Sequence, residues 1–321
     1  MIYMLFDNPS DKQNMMFLNK YETKVIKQVY PNQKCNSIKK MLEECRKIIK
    51  KSLDGDTIIC WYDFMAVLCW WLCKIFHKKR KIIATNILLK NKKTIKNKLV
   101  KILYKSMLKS NDVQATVTSL KYGEYINKIL GINKKYTLLR DIYHDRYNIN
   151  YDCDITLNSV FCGGYNGRDW NFLIEIAKSI PEVTFNCVIP KEKFEKYKND
   201  FGKNMIVKTN ISEKEFLKFM CQSCLVAMPL DTEAPAGLIV FYQAAANGKM
   251  SITSNTVTTQ EYFKNDRGVL CENSIDDWKN KIKYYLCHLD EANSCVAKFK
   301  DFLEKECVEE KYANTLWRII K

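Results

Sequence analysis

The chain has 321 residues, of which 47% are hydrophobic, and a formal net charge of +16. That length is too great for one ordinary core and predicts two domains, while the apolar content excludes a disordered tail. The charge calls for an anionic partner: nucleic acid, anionic lipid or a phosphorylated substrate.

Residues 1–6 are apolar but stop at Asp7, too short for a secretory leader. The longest greasy stretch, 57–76, is interrupted by Asp63, and its unbroken part is too short to span a bilayer. The spacing predicts strands at 57–61, 81–85 and 114–118, and helices at 64–77, 94–109 and 121–130, the last ended by Gly131. In the 94–109 helix Ile95, Leu99, Ile102 and Leu103 form one apolar face. A polar stretch at 148–154 then marks a domain break. Beyond it strands are expected at 159–162, 183–188, 205–208, 224–228, 250–253 and 268–271. Helices alternate with them at 170–179, 192–198, 212–221, 236–247 and 275–289, and a helical tail covers 293–321, with Trp317 packing back on the first domain. Such alternation implies parallel sheets covered on both faces. The expected fold is therefore α/β, with two Rossmann-like domains at 1–150 and 151–321.

The 14 cysteines are scattered, and many lie inside apolar runs, which fits free thiols in a reducing, cytoplasmic compartment. Cys221-Gln-Ser-Cys224 is the only CxxC; packing is the plain reading and redox or zinc use the sharper one. The three histidines form no metal cluster in sequence.

Seven of the ten glycines follow residue 160, so ligand-cradling turns should cluster in the second half. Phe161-Cys-Gly-Gly-Tyr-Asn-Gly-Arg-Asp-Trp170 reads as strand, turn and helix. Gly163, Gly164, Asn166 and Gly167 let a backbone approach a phosphate, the helix start near Asp169 adds positive potential, and Arg168 can form bidentate bonds. A tight turn with a solvated arginine gives the same letters. The segment 227–249 reads as strand end, loop and an all-apolar, buried helix. Its start at Ala236, Gly237 and Leu238 offers free N–H groups, and Gln243 is a lone polar side chain that needs a partner, whether ribose hydroxyls or backbone.

Residues 229–262, with Ala234-Pro-Ala-Gly237 and Gln243-Ala-Ala-Ala-Asn-Gly-Lys249, resemble the donor-binding signature of glycosyltransferase family 4, of the bacterial capsular and exopolysaccharide type. Residues 163–176 are similar to that family's phosphate-binding turn, and Trp61-Tyr-Asp-Phe64 to a segment of bacterial polysaccharide enzymes. The resemblance implies a GT-B fold, a retaining hexosyltransferase that needs no metal or cofactor, and a nucleotide-sugar donor, UDP-sugar favoured. Arg168, the turn amides and Lys249 would stabilise the leaving diphosphate. The family places two glutamates at fixed spacing around this helix. Here Gln243 holds the second position and Pro235 the first, with Glu233 two residues early. The first domain's usual glycine-rich loop is replaced by Met4-Leu-Phe-Asp-Asn-Pro-Ser10. These departures leave open a catalytically weak homologue acting as a partner subunit.

Asp63, after a predicted strand, is a candidate acceptor-activating base, and His144 a candidate catalytic or donor-contacting group near the domain break. From 64 to 111 there is no acid, while 13 Lys or Arg lie between Lys74 and Lys109. Lys98, Lys101, Lys105 and Lys109 share a helix face, and Trp70 and Trp71 could sit at headgroup level. The expectation is peripheral attachment to an anionic membrane surface, with an acceptor glycan carried on a polyprenyl diphosphate. No nucleic-acid-binding motif is present.

Overall fold

The computed structural model describes residues 1–10, 26–91, 94–149 and 153–321. It separates into two compact units, 1–140 together with 309–321, and 141–308.

The first unit is a six-stranded parallel sheet in the order β2-β1-β3-β4-β5-β6. Its strands are β1 (Ile2–Leu5), β2 (Ile26–Val29), β3 (Thr57–Cys60), β4 (Lys81–Ala84), β5 (Val113–Val117) and β6 (Thr137–Leu138). Its helices are α1 (Ile38–Lys51), α2 (Asp63–Ile75), α3 (Ile95–Leu108), α4 (Leu120–Leu130) and the last helix of the chain, α12 (Glu309–Ile320). β3 is buried at all four positions, as expected of a central parallel strand. Ser37, Thr94 and Ser119 each accept a backbone N–H at the start of their helix, and Gly131 ends α4 at φ 59°. α12 buries Tyr312, Ala313, Leu316, Trp317, Ile319 and Ile320. Lys81 of β4 caps its last turn, Nζ donating to the carbonyls of Ile319 (2.7 Å) and Ile320 (3.2 Å).

The second unit is another six-stranded parallel sheet, in the order β12-β11-β10-β7-β8-β9. Its strands are β7 (Ser159–Gly163), β8 (Thr184–Val188), β9 (Met205–Lys208), β10 (Leu225–Met228), β11 (Ser251–Ser254) and β12 (Val269–Cys271). α5 (Trp170–Ser179), α6 (Lys191–Tyr197), α7 (Glu213–Cys221), α8 (Leu238–Ala246), α9 (Val257–Tyr262) and α10 (Ile275–Cys287) alternate with them, and α11 (Leu289–Glu306) follows. The strand order reverses beside β7, so the loops after β7 and β10 meet at a topological switch point, where open α/β sheets bind ligands.

The unit boundary differs from the break expected at 150/151. Residues 141–149 go with the second unit because Asn247, at the end of α8, clamps them. Its Nδ2 donates to the Tyr147 carbonyl (2.7 Å) and its Oδ1 accepts from Ile149 N (3.2 Å). Residues 309–321 leave the second unit for the first through α12.

The apolar face expected of α3 is also different. Tyr104, Met107 and Leu108 are the buried residues of this helix, while Ile95, Leu99 and Ile102 point to solvent. Trp70 is buried and only Trp71 of that pair is exposed. No described helix is long and apolar enough to cross a membrane.

Candidate functional site

The switch point of the second unit is built by two loops zipped together. Asp169 N donates to the Pro229 carbonyl and Asp231 N to the Gly167 carbonyl, both at 3.0 Å, forming an antiparallel bridge between Arg168 and Leu230. The β7–α5 turn is thereby fixed against the β10–α8 loop.

Arg168 lies inside this junction, 7% exposed. Its Nε donates to the Gly163 carbonyl (2.9 Å) and Nη1 to the Asn166 carbonyl (2.6 Å). A guanidinium has five N–H donors, so these two bonds brace the turn and leave donors over. Burial pulls its pKa down to about 10, partly offset by the neighbouring Cys162 and Asp231, so it stays cationic at neutral pH. The glycines are needed for this packing. A Cβ on Gly164 would sit 2.5 Å from Arg168 Nη2, and one on Gly237 would lie 2.8 Å from Met228 Cε and 3.4 Å from Arg168 Nη1. Both have positive φ, 116° and 82°. At Gly167 a Cβ would meet Ala236 Cβ at 2.8 Å, and at Gly163 the Phe216 ring at 2.6 Å.

The guanidinium therefore lies beside the start of α8. Gly237 is the N-cap of that helix and no side chain caps it, so its first N–H groups are left for another acceptor. α5 is different: Asp169 accepts from Phe172 N (3.0 Å), and its own carboxylate already occupies the helix start expected to attract an anion. The positive potential of the site comes from α8 and Arg168.

The remaining candidates are dispersed. Glu233 faces α9, its Oε2 accepting from Val257 N (2.8 Å) and its carbonyl from Thr258 Oγ1 (3.0 Å). One oxygen of the acid expected to stand in for the displaced glutamate thus caps α9. Pro235 and Ala236 lie in the same loop, Ala236 against Gly167. Gln243 is 5% exposed, and its Nε2 reaches Glu213 Oε1 at 3.4 Å. Glu213 opens α7 and was not singled out by any sequence motif. Lys249 follows the far end of α8, near Cys153, Cys221 and Cys224, where burial lowers its pKa. It does not join Arg168.

His144 packs edge-on to Tyr147, ring centroids 5.5 Å apart, and Tyr147 is held by Asn247 at the carboxyl end of α8. That is the opposite end of the helix from Gly237, roughly 14 Å along its axis. Asp63 is the first residue of α2 in the other unit, 2% exposed. Its Oδ2 accepts from Leu88 N (2.8 Å) and Tyr104 OH (2.7 Å). Burial raises its pKa to about 6 against the pull of these bonds. The candidate acceptor-activating base is thus an enclosed carboxyl, with Leu88 N and Tyr104 OH as its neighbours. Among the described residues no group of His, Cys, Asp or Glu could hold a metal ion, and every described cysteine is free.

Residues 168–316 match the model of a family described as glycosyl transferase-like. No curated protein matches the chain. Among solved structures, sucrose-phosphate synthase from Thermosynechococcus elongatus superposes with a TM-score of 0.78 at 12% identity, covering 99% of this chain and 98% of that one. The Anabaena protein HepE, in complex with UDP and glucose, gives 0.73 at 10% identity, covering 100% and 99%. A glycosyltransferase from Rickettsia africae gives 0.65 at 14% identity, covering 100% and 98%. The two parallel α/β units thus have the fold of GT-B glycosyltransferases.

Proposed function

We propose that the chain is a glycosyltransferase that moves a hexose from a nucleoside-diphosphate sugar, preferably a UDP-sugar, to a lipid-linked glycan acceptor in surface polysaccharide synthesis. The observation that carries this reading is the meeting of a buried, cationic Arg168 with the uncapped start of α8 under glycines that exclude any side chain. Breaking the sugar–oxygen bond leaves negative charge on the diphosphate. Fixed cationic donors in a low-dielectric site stabilise that charge with little reorganisation. The HepE complex with UDP and glucose supports UDP as the nucleotide. The acidless segment 64–111 supports an acceptor presented at an anionic membrane surface.

A second reading is a nucleotide-binding partner subunit with little turnover. It is favoured by the engagement of Glu233 with α9 and of Gln243 with Glu213, which ties part of each side chain to the protein itself.

The test is a thermal-shift panel with UDP, GDP, TDP, ADP and CMP. A ligand of the native state raises stability by RT ln(1 + [L]/Kd), about 2.7 kcal/mol at a hundredfold excess over Kd. One diphosphate should raise the melting temperature of the wild type. The shift should vanish in Arg168→Ala and shrink strongly in Gly237→Ala, whose Cβ would push on Met228 and crowd the guanidinium. No shift with any nucleotide at millimolar concentration would overturn both readings. A shift without sugar transfer to any acceptor would favour the second.

A further inference from the structure

The first unit carries a row of aliphatic side chains that its own fold leaves uncovered. α3 buries Tyr104, Met107 and Leu108. On another side Ile95, Leu99 and Ile102 are 80%, 60% and 58% exposed. Their i, i+4, i+7 spacing makes one row along the helix. A helix that meets only water places polar residues there, and a contiguous exposed apolar row marks an interaction surface. Leu88, in the preceding loop, is exposed as well.

Charge identifies the partner. Helical geometry sets Lys96 on one flank of the row and Lys98 on the other, both exposed. α3 contains no acid, and neither does any position from 64 to 111. An apolar ridge between lysines suits the interface of an anionic bilayer, where aliphatic groups enter the acyl boundary and ammonium groups meet phosphates. A second copy of the chain would bring the same lysines against these and repel. Nucleic acid would use the lysines but has no place for three bare aliphatic groups.

The location suits the role. Tyr104 donates to Asp63, the first residue of α2, at 2.7 Å. α3 begins nine residues before Tyr104, roughly 13 Å of helix. The exposed row therefore lies at and beyond the start of α2, on the side of the sheet where the strands end. That is the side on which parallel α/β sheets receive ligands.

We propose that the first two turns of α3 form the membrane-docking edge of the protein, with Ile95, Leu99 and Ile102 inserted below the headgroups of an anionic bilayer and Lys96 and Lys98 on the phosphates. This deepens the membrane part of the reading above and is independent of the nucleotide site.

The experiment is co-sedimentation of the full chain with vesicles of phosphatidylglycerol and phosphatidylcholine, and with phosphatidylcholine alone. The wild type should bind the anionic vesicles and not the neutral ones. Ile95→Ser/Leu99→Ser/Ile102→Ser, which keeps every charge, should lose about tenfold or more in affinity. Lys96→Gln/Lys98→Gln should lose roughly fivefold per lysine. Because all five side chains are exposed, both variants should melt like the wild type and keep its nucleotide response. A Leu99→Trp variant should be quenched by brominated acyl chains. Unchanged binding of the triple serine variant would overturn the proposal and leave charge alone as the cause. A wild type that ignores anionic vesicles but is dimeric, with a monomeric triple variant, would assign the row to a second copy and overturn it too.

Discussion

The side-chain amide of Gln243, buried two turns into α8, donates to the carboxylate of Glu213 at the start of α7, 3.4 Å away. The pair joins α7, which packs on β7 and β8, to α8, which packs on β11, and places an exposed carboxylate along α8 from the diphosphate site proposed at Gly237.

Restoring the family's acid at this position should therefore harm the protein. Gln243→Glu sets two carboxylates against each other, one of them buried, where like charge and desolvation both oppose ionisation. A loss of about 1–3 kcal/mol is expected at pH 7, shrinking at low pH as one carboxyl takes up a proton. Glu213→Gln in the same chain should recover most of it, because an amide again faces a carboxylate. Urea unfolding of the two single variants and the double variant measures the coupling. If Gln243→Glu is as stable as the wild type and the double variant shows no coupling, the pair is not a real interaction.

Glu233 should act on stability and not on nucleotide affinity. Its carboxylate accepts from Val257 N at 2.8 Å, at the positive end of α9. Glu233→Gln keeps an acceptor but removes the charge and should cost about 0.5–1 kcal/mol; Glu233→Ala should cost about 1–2 kcal/mol. Thermal melts read the loss, and titration with the diphosphate that shifts the wild type should return an unchanged Kd. A Kd weakened tenfold in Glu233→Gln, with no change in melting, would return this residue to the donor site.

These cases show where the sequence was informative. Most of the second sheet was legible because its central strands are short apolar runs separated by helical periodicity, and because glycines mark the turns between them. The letters singled out Arg168 and Gly237 but did not say that the arginine is buried against the start of α8, since a tight turn with a solvated arginine reads the same. The partners of Glu233 and Gln243 could not be found from letters. Val257 is 24 residues from Glu233 and Glu213 is 30 from Gln243, and only the return of the chain brings them together. α3 misled for another reason. It is apolar on two sides, and periodicity alone does not say which side faces the sheet. β1, β2 and α1 were not anticipated, although α1 carried a signal in Ser37, whose side chain caps it, and in the helical spacing of Met41, Cys45, Ile48 and Ile49.

Asp63 gives a pH dependence whose sign follows from its burial. In the unfolded chain its carboxyl loses its proton near the ordinary value of 3.8, whereas in the folded protein it keeps the proton up to about pH 6. Between those values the folded state binds more protons, so this group's contribution falls as pH rises and the cost is complete above about pH 6. The difference corresponds to about 3 kcal/mol. Asp63→Asn removes the titration, and its single carbonyl can accept from Leu88 N and Tyr104 OH as Oδ2 does now. The variant should gain on the wild type steadily from pH 4 to pH 6, by up to about 3 kcal/mol, and hold that advantage at pH 7. Asp63→Ala loses the same titration, so its curve should run parallel to that of Asp63→Asn and about 2–4 kcal/mol below it at every pH, because the Leu88 N–H and Tyr104 hydroxyl are left buried without a partner. Denaturant unfolding of the three proteins across pH 4–8 separates these outcomes. Parallel curves for the wild type and Asp63→Asn would mean that the carboxyl is already ionised at pH 4 and that burial does not control it.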